Sequence, residues 1–176
     1  MIEIGPLWRV PRDDIETLLD AAFGADRKSR TAYKLREGGE AIRDLSFAAF
    51  DGERLVGTLQ SWPLALEEAD GTLTRMTLVG PVAVMPDQQR GGIGRLLMQS
   101  LMDASEVCGA NAMVLIGDPE YYGRFFGFVA DATGEWELPG PFERHRLLAR
   151  ITRPGGVPAK GRLIPDPAFA TGRIAA

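Results

Sequence analysis

The chain has 176 residues, 45% hydrophobic and 25% charged, which supplies apolar sequence for one sizeable core and excludes a disordered chain. Twenty basic against twenty-four acidic residues give a net charge of −4, which argues against a dedicated nucleic-acid binder. One cysteine, Cys108, excludes an internal disulfide and a cysteine zinc cage, and one histidine, His145, excludes a histidine-rich metal site.

Residues 2–10 have the β-branched and aromatic content of an opening strand, and Pro11 suits a first helical turn. Ile15, Leu18, Leu19, Ala22 and Phe23 then fall at helical spacing, a stripe ended by Gly24. A weaker helix is predicted over 28–37, with Arg27, Lys28, Arg30, Lys34 and Arg36 as a solvated basic face. The period changes to two over 45–50 and 54–62, strands joined by the turn at Asp51-Gly52-Glu53, the second of them stopped by Pro63. A turn over 67–71 leads to a third strand, 72–84. A helix opens near Gly92, with Ile93, Leu97, Leu101 and Ala104 on one face and Leu96 widening it; Cys108 near its end reads as a small buried residue. The short apolar run 112–116 predicts a strand buried on both faces, and strand–helix–strand order implies a right-handed parallel crossover. A short helix over 120–126 and strands near Phe128 and over 146–152 follow; past Arg153 no element is predicted. Trp8, Trp62 and Trp136 are placed in the core, at the rim or along a ligand cleft, and His145 on an exposed charged edge.

The apolar stretch 76–85 is too short to span a bilayer, and Met1-Ile2-Glu3-Ile4-Gly5-Pro6 lacks the pattern of a secretion leader. The expectation is a cytoplasmic protein with neither membrane nor nucleic-acid partner.

The most informative segment is Val82-Ala83-Val84-Met85-Pro86-Asp87-Gln88-Gln89-Arg90-Gly91-Gly92-Ile93-Gly94-Arg95, in which a strand ends, a glycine-rich turn follows and a helix begins. Backbone N–H groups at such a junction lack intrahelical partners and, with the helix dipole, make an anion site. Arg90 and Arg95 add positive charge. A triphosphate loop needs Lys and then Ser or Thr after its last glycine, but Arg95-Leu96 follow Gly94; a dinucleotide fingerprint needs a third glycine or alanine that is also missing. What remains is Gln-x-x-Gly-x-Gly, met by Gln89, Gly92 and Gly94. Upstream, Gly80-Pro81 removes a ladder donor, so the strand must bulge or splay from its parallel neighbour. Splaying would leave Val82, Ala83 and Val84 to pair with an amide-bearing ligand.

Together with Gly117-Asp118-Pro119-Glu120-Tyr121-Tyr122-Gly123-Arg124-Phe125-Phe126-Gly127-Phe128, residues 78–128 resemble the acyl-coenzyme A core of the GNAT superfamily of N-acetyltransferases. The second segment is similar to that of a bacterial branch of predicted acetyltransferases. The resemblance implies an α/β (α+β layered) fold over 1–152: a mixed, mostly antiparallel sheet with a splayed parallel strand pair and helices on both faces. Residues 153–176 follow as a Pro/Gly-containing tail or arm. It also implies acetyl-CoA as acyl donor, held by Val82, Ala83, Val84, Gln89, Arg90, Gly91, Gly92, Ile93, Gly94 and Arg95, with no metal. The acceptor is a small-molecule or peptide amine, transfer is direct in a ternary complex, and a homodimer stays open. Tyr122, five residues before Gly127, is the candidate general acid for the departing thiolate. Asp118 and Glu120 are the nearest carboxylates for a base, although Asp118 beside Pro119 also reads as a helix cap. The alternative is a non-catalytic acyl-CoA sensor or regulatory module.

Overall fold

The structure, a computed structural model, describes residues 1–110 and 112–169. Its strands are β1 (Ile2–Pro6), β2 (Phe47–Asp51), β3 (Arg54–Glu67), β4 (Leu73–Val84), β5 (Ala112–Ile116), β6 (Glu135–Glu137), β7 (Leu147–Ile151) and β8 (Lys160–Pro165). The α-helices are α1 (Arg12–Phe23), α2 (Thr31–Lys34), α3 (Ile93–Cys108) and α4 (Pro119–Phe126). The strands form one mixed sheet in the order β1-β2-β3-β4-β5-β7, with β8 on β3 and β6 on β8. The sheet is mostly antiparallel and β4–β5 is parallel, as the sequence predicts; β6–β8 is a second parallel pair, which it does not. Among the described residues no helix is long and apolar enough to cross a membrane.

Two compact units make up the described chain, with β3 and β4 running through both. The first comprises Met1–Ser29, Ala41–Ser61 and Gly80–Gly109; the second comprises Arg30–Glu40, Trp62–Val79 and the described residues from Ala110 onward.

In the first unit, side chains along β2 alternate between two covered faces. Ala48, opposite Thr58, joins a core with Leu7, Ile15, Leu18 and Leu19, so α1 covers that side. Ala49, opposite Gly57, points the other way, towards the start of α3. A Cβ on Gly57 would come 2.9 Å from Ile93 Cγ2 and 3.1 Å from Leu97 Cδ1, so this glycine sets how closely α3 approaches the strand. The helix buries Ile93, Leu97, Met98, Leu101, Met102 and Ser105. Its apolar stripe therefore widens through Met98 and Met102. Leu96, 100° further round, is instead exposed, and so is Cys108 in the last turn.

The basic run does not lie on a solvated helix. A 3-10 turn, Ala25–Ser29, and the single-turn α2 replace the longer helix predicted. Arg27 is only 1% exposed: its Nη2 lies 2.5 Å from Glu16 Oε2 and its Nε 2.8 Å from Asp20 Oδ1. Two carboxylates four residues apart on α1 face the turn and draw the guanidinium in. Burial would raise the Glu16 carboxyl, but hydrogen bonds from Arg27 and Lys28 outweigh it and hold the group below its usual range. Arg27→Met is expected to cost about 1–3 kcal/mol at neutral pH. Because the Glu16 pKa is depressed on folding, its pairing stabilises above the ordinary value of 4.5 and is lost as pH falls through the lowered one. Urea titrations in neutral and acid buffer should therefore show the difference between wild type and variant shrinking in acid.

The second unit is built on Leu35, Leu64, Leu66, Met76, Leu78, Val114, Trp136, Leu147 and Leu163. Trp136 is fully buried, and its indole N–H donates to the Pro158 carbonyl at 3.0 Å. On one side α2 is held by Thr31 Oγ1, which donates to the Pro141 carbonyl at 2.5 Å, and by Lys34 Nζ, which donates to that of Pro139 at 3.3 Å. Pro63 does not stop β3. It falls between the ladder to β2, which reaches Leu59, and the ladder to β8, which begins at Leu64, where no donor is demanded of it. Past Arg153 the chain does form an element: β8 pairs antiparallel with β3 and parallel with β6. At the start of the chain β1 ends at Pro6, and Leu7–Arg9 turn into a 3-10 helix.

Candidate active site

Parallel pairing between β4 and β5 consists of Thr77 with Met113 and Leu78 with Val114. Both strands run on past it, β4 to Val84 and β5 to Ile116. Gly80-Pro81 follows the last registered pair; the peptide bond is cis and Gly80 has φ +128°. Val82 and Val84 are half-buried, whereas Ala83 packs into the α1 core.

Beyond Met85 the segment Pro86–Gly91 is a 3-10 helix, anchored by two contacts in the first unit. The Met85 N–H donates to the Val56 carbonyl at 2.9 Å. Asp87 receives a two-pronged ion pair from Arg54, Nη1 to Oδ2 at 2.8 Å and Nη2 to Oδ1 at 3.1 Å. The Arg54 guanidinium holds the Asp87 carboxyl below the usual carboxylate range, and Asp87 in turn raises the arginine. This clamp ties the turn to the β2–β3 hairpin. No local pattern in the sequence marks it, since thirty-three positions separate its partners.

Gly92 caps α3 in the left-handed region, φ +72° and ψ +12°, a conformation that favours glycine. The N–H groups of Arg95 and Leu96 both donate to the Gly92 carbonyl, at 3.0 and 3.2 Å. Those of Ile93 and Gly94 lie ahead of that first intrahelical bond, at the positive end of the dipole. Gln89, Arg90, Gly91, Gly92 and Arg95 are exposed, and Gly94 is half-buried. Open space meets a Cβ built on Gly92. The Ile93 side chain is buried, so that residue offers only its backbone. No acidic residue stands in the first turn of α3. The arrangement can therefore receive an anion, and the strand before it ends beside the backbone that would do so.

Tyr122 lies in the second unit, on α4. Asp118 caps this helix by accepting from the Glu120 N–H at 3.0 Å, Pro119 occupies its first position, and Gly127 ends it at φ +72°. The predicted cap role of Asp118 is thus realised. The Phe128 N–H donates to the Tyr122 carbonyl at 3.2 Å, closing the C-terminal end of the helix. The Tyr122 ring is edge-on to Tyr121 at 5.0 Å and to Phe128 at 6.4 Å between centroids. Burial pushes its pKa up to about 12, so the phenol keeps its proton throughout the neutral range. His145 sits on the exposed edge expected of it, 3.5 Å from Glu143. Trp62 is half-buried with Arg36 over its ring at 4.8 Å, while Trp8 is exposed.

Residues 11–129 match the family model described as an acetyltransferase (GNAT) domain. The chain is 30% identical over 138 residues to YhbS of Escherichia coli, an uncharacterised N-acetyltransferase, covering 76% of this chain and 80% of that one. It is 28% identical over 137 residues to YjhQ, another uncharacterised N-acetyltransferase of the same organism, covering 76% and 74%. Among solved structures, YhbS in complex with CoA superposes with a TM-score of 0.70 at 24% identity over 93% of this chain and 88% of that one. A GNAT family acetyltransferase of Brucella melitensis in complex with acetyl-CoA gives 0.67 at 24% identity over 96% and 98%. These superpositions carry the fold; the family model, spanning most of the chain, and the sequence relatives carry the activity class. The chain belongs to the GNAT family of acetyltransferases.

Proposed function

We propose that the protein moves an acetyl group from acetyl-CoA to a primary amine by direct transfer in a ternary complex. The observation that carries this is the strand–turn–helix junction at 82–95, where a left-handed glycine and uncommitted N–H groups open a helix bearing no acidic residue in its first turn. The complexes of similar structures with CoA and with acetyl-CoA agree with it.

In this reading Gln89, Arg90, Gly91, Gly92, Ile93, Gly94 and Arg95 hold the diphosphate, the Ile93 side chain serving only to seat the helix. Val82, Ala83 and Val84 pair with the amide arm of the donor, and a backbone N–H there stabilises the oxyanion. The neutral amine nitrogen attacks the thioester carbonyl carbon, a C–N bond forms and the C–S bond breaks. The departing sulfur takes the proton of the Tyr122 hydroxyl, the proton lost by the amine goes to water, and the phenolate regains one proton from solvent, so that the cycle balances. Holding amine and carbonyl together contributes about 7–11 kcal/mol on its own. Asp118 is occupied as a cap and Glu120 is exposed beside it; in this reading the acceptor arrives in its neutral fraction. The proposed catalytic domain is 1–152, with β8 of the segment that follows paired on its β3.

The test is steady-state release of free CoA thiol from acetyl-CoA with a panel of primary amines, including amino acids, polyamines and lysine peptides. Acetyl-CoA binding with amine-dependent thiol release supports transfer. Tight binding with no release across the panel would instead make the protein an acyl-CoA-binding module.

A further inference from the structure

We propose that Gly117 is a positioning residue for Tyr122: because it has no Cβ, the phenol can lie across the end of β5, and no other residue at this position would leave the ring in place. The inference rests on Tyr122 acting as the proton donor. Gly117 stands directly after β5 and before the α4 cap, and it is not one of the glycines with positive φ. Its backbone therefore lies within reach of alanine, and the requirement for glycine is one of space. A Cβ built there would lie 2.5 Å from Tyr122 Cε2, 2.8 Å from its Cδ2 and 3.1 Å from Leu115 Cδ1.

Something would have to move, and the backbone is the less able to do so. The Gly117 N–H donates to the Arg146 carbonyl at 2.9 Å, and Arg146 Nε donates back to the Gly117 carbonyl at 3.4 Å. This pins the glycine to the residue that precedes β7. The helix carrying the ring is fixed at both ends, by the Asp118 cap and by Gly127. An added methyl group is therefore taken up by the ring, which tilts off the strand end. A displacement of that order is enough to separate a donor from the atom it serves, since about 1 Å of misplacement can cost as much as 10²-fold in rate.

The test uses full-length protein labelled with ring-13C tyrosine. There are three tyrosines, and the Tyr122 signal is the one lost in Tyr122→Phe. In Gly117→Ala the Tyr122 signal should shift while that of Tyr33 stays. The kcat for thiol release should fall roughly tenfold or more with KM for acetyl-CoA held within about twofold. Gly117→Ala combined with Tyr122→Phe should have the kcat of Tyr122→Phe alone, because the misplaced hydroxyl is already gone. An unmoved signal, a moved signal with undiminished kcat, or two losses that multiply in the double variant would each overturn the inference. Should Gly117→Ala not fold, Gly117→Ala with Tyr122→Ala should regain the fold, and failure to do so overturns the clash itself. Undiminished kcat in Tyr122→Phe would overturn the proton-donor reading, which the signal shift in Gly117→Ala does not report on.

Discussion

Gly94→Glu is expected to leave the protein folded and to abolish acetyl-CoA binding. The position is the second residue of α3 and lies outside the set of glycines with positive φ, so a side chain there brings no backbone strain. Glycine inside a helix costs roughly 0.5–1 kcal/mol relative to alanine, and a carboxylate in a first turn contributes about 0.3–1 kcal/mol through the dipole. Since the first turn of α3 has no acidic residue, the variant should melt at the wild-type temperature or slightly above. The same carboxylate stands where a diphosphate would meet the helix start. Like charges set against each other at close range cost several kcal/mol, which is at least ~100-fold in affinity. Titration calorimetry with acetyl-CoA beside a thermal melt separates the two effects. Wild-type affinity in a well-folded Gly94→Glu would remove residues 89–95 as the donor site. Gly92→Glu makes a poorer probe, because a side chain at φ +72° carries about 1–2 kcal/mol of strain and confuses lost binding with lost stability.

The parts of the molecule that the sequence discloses are those governed by local rules. The α1 stripe, the Asp51-Gly52-Glu53 turn and β5 over 112–116 all form where periodicity and turn chemistry place them. The α4 cap is of the same kind, since Asp118, Pro119 and Gly127 act within one helix. Partners distant in the chain govern what was not legible. Pro63 reads as a strand stop until it is seen to fall between two ladders, one of them to a strand a hundred positions away. Lys160–Pro165 has Gly and Pro around it and no alternation, yet pairing on two edges makes it a strand. Arg27 looks like a solvated charge because its carboxylates sit a full helix turn apart on α1. Within the candidate site, the glycine pattern marks the α3 start, and Gly57 on β3 carries a second local signal: a glycine inside a strand marks a close approach, here of α3 itself. The Arg54–Asp87 clamp left no such mark.

Tyr122→Phe should lower kcat for thiol release by about 10²–10⁴-fold, the range for a lost general acid, with KM for acetyl-CoA within about twofold. The substitution removes one oxygen and keeps the ring that packs on Gly117, Tyr121 and Phe128, so the fold and the donor site should be untouched. The pH profile gives a second check. A free phenol would begin to lose its proton near 10, but burial holds that of Tyr122 up to about 12. The sign follows directly: the acid form persists as pH rises, so the rate should climb with the growing neutral fraction of the amine and show no fall from this group below the raised value. Linkage runs the same way in the folding equilibrium, where the shift leaves stability intact below the unfolded pKa and withdraws it as pH rises through the folded one. A descending limb near 10 in the wild type, absent from Tyr122→Phe, would mean that the phenol titrates as though exposed. A kcat in Tyr122→Phe equal to the wild type would mean that the thiolate leaves without it. Between those outcomes, a large loss in kcat on a flat alkaline profile is what a half-buried tyrosine that keeps its proton predicts.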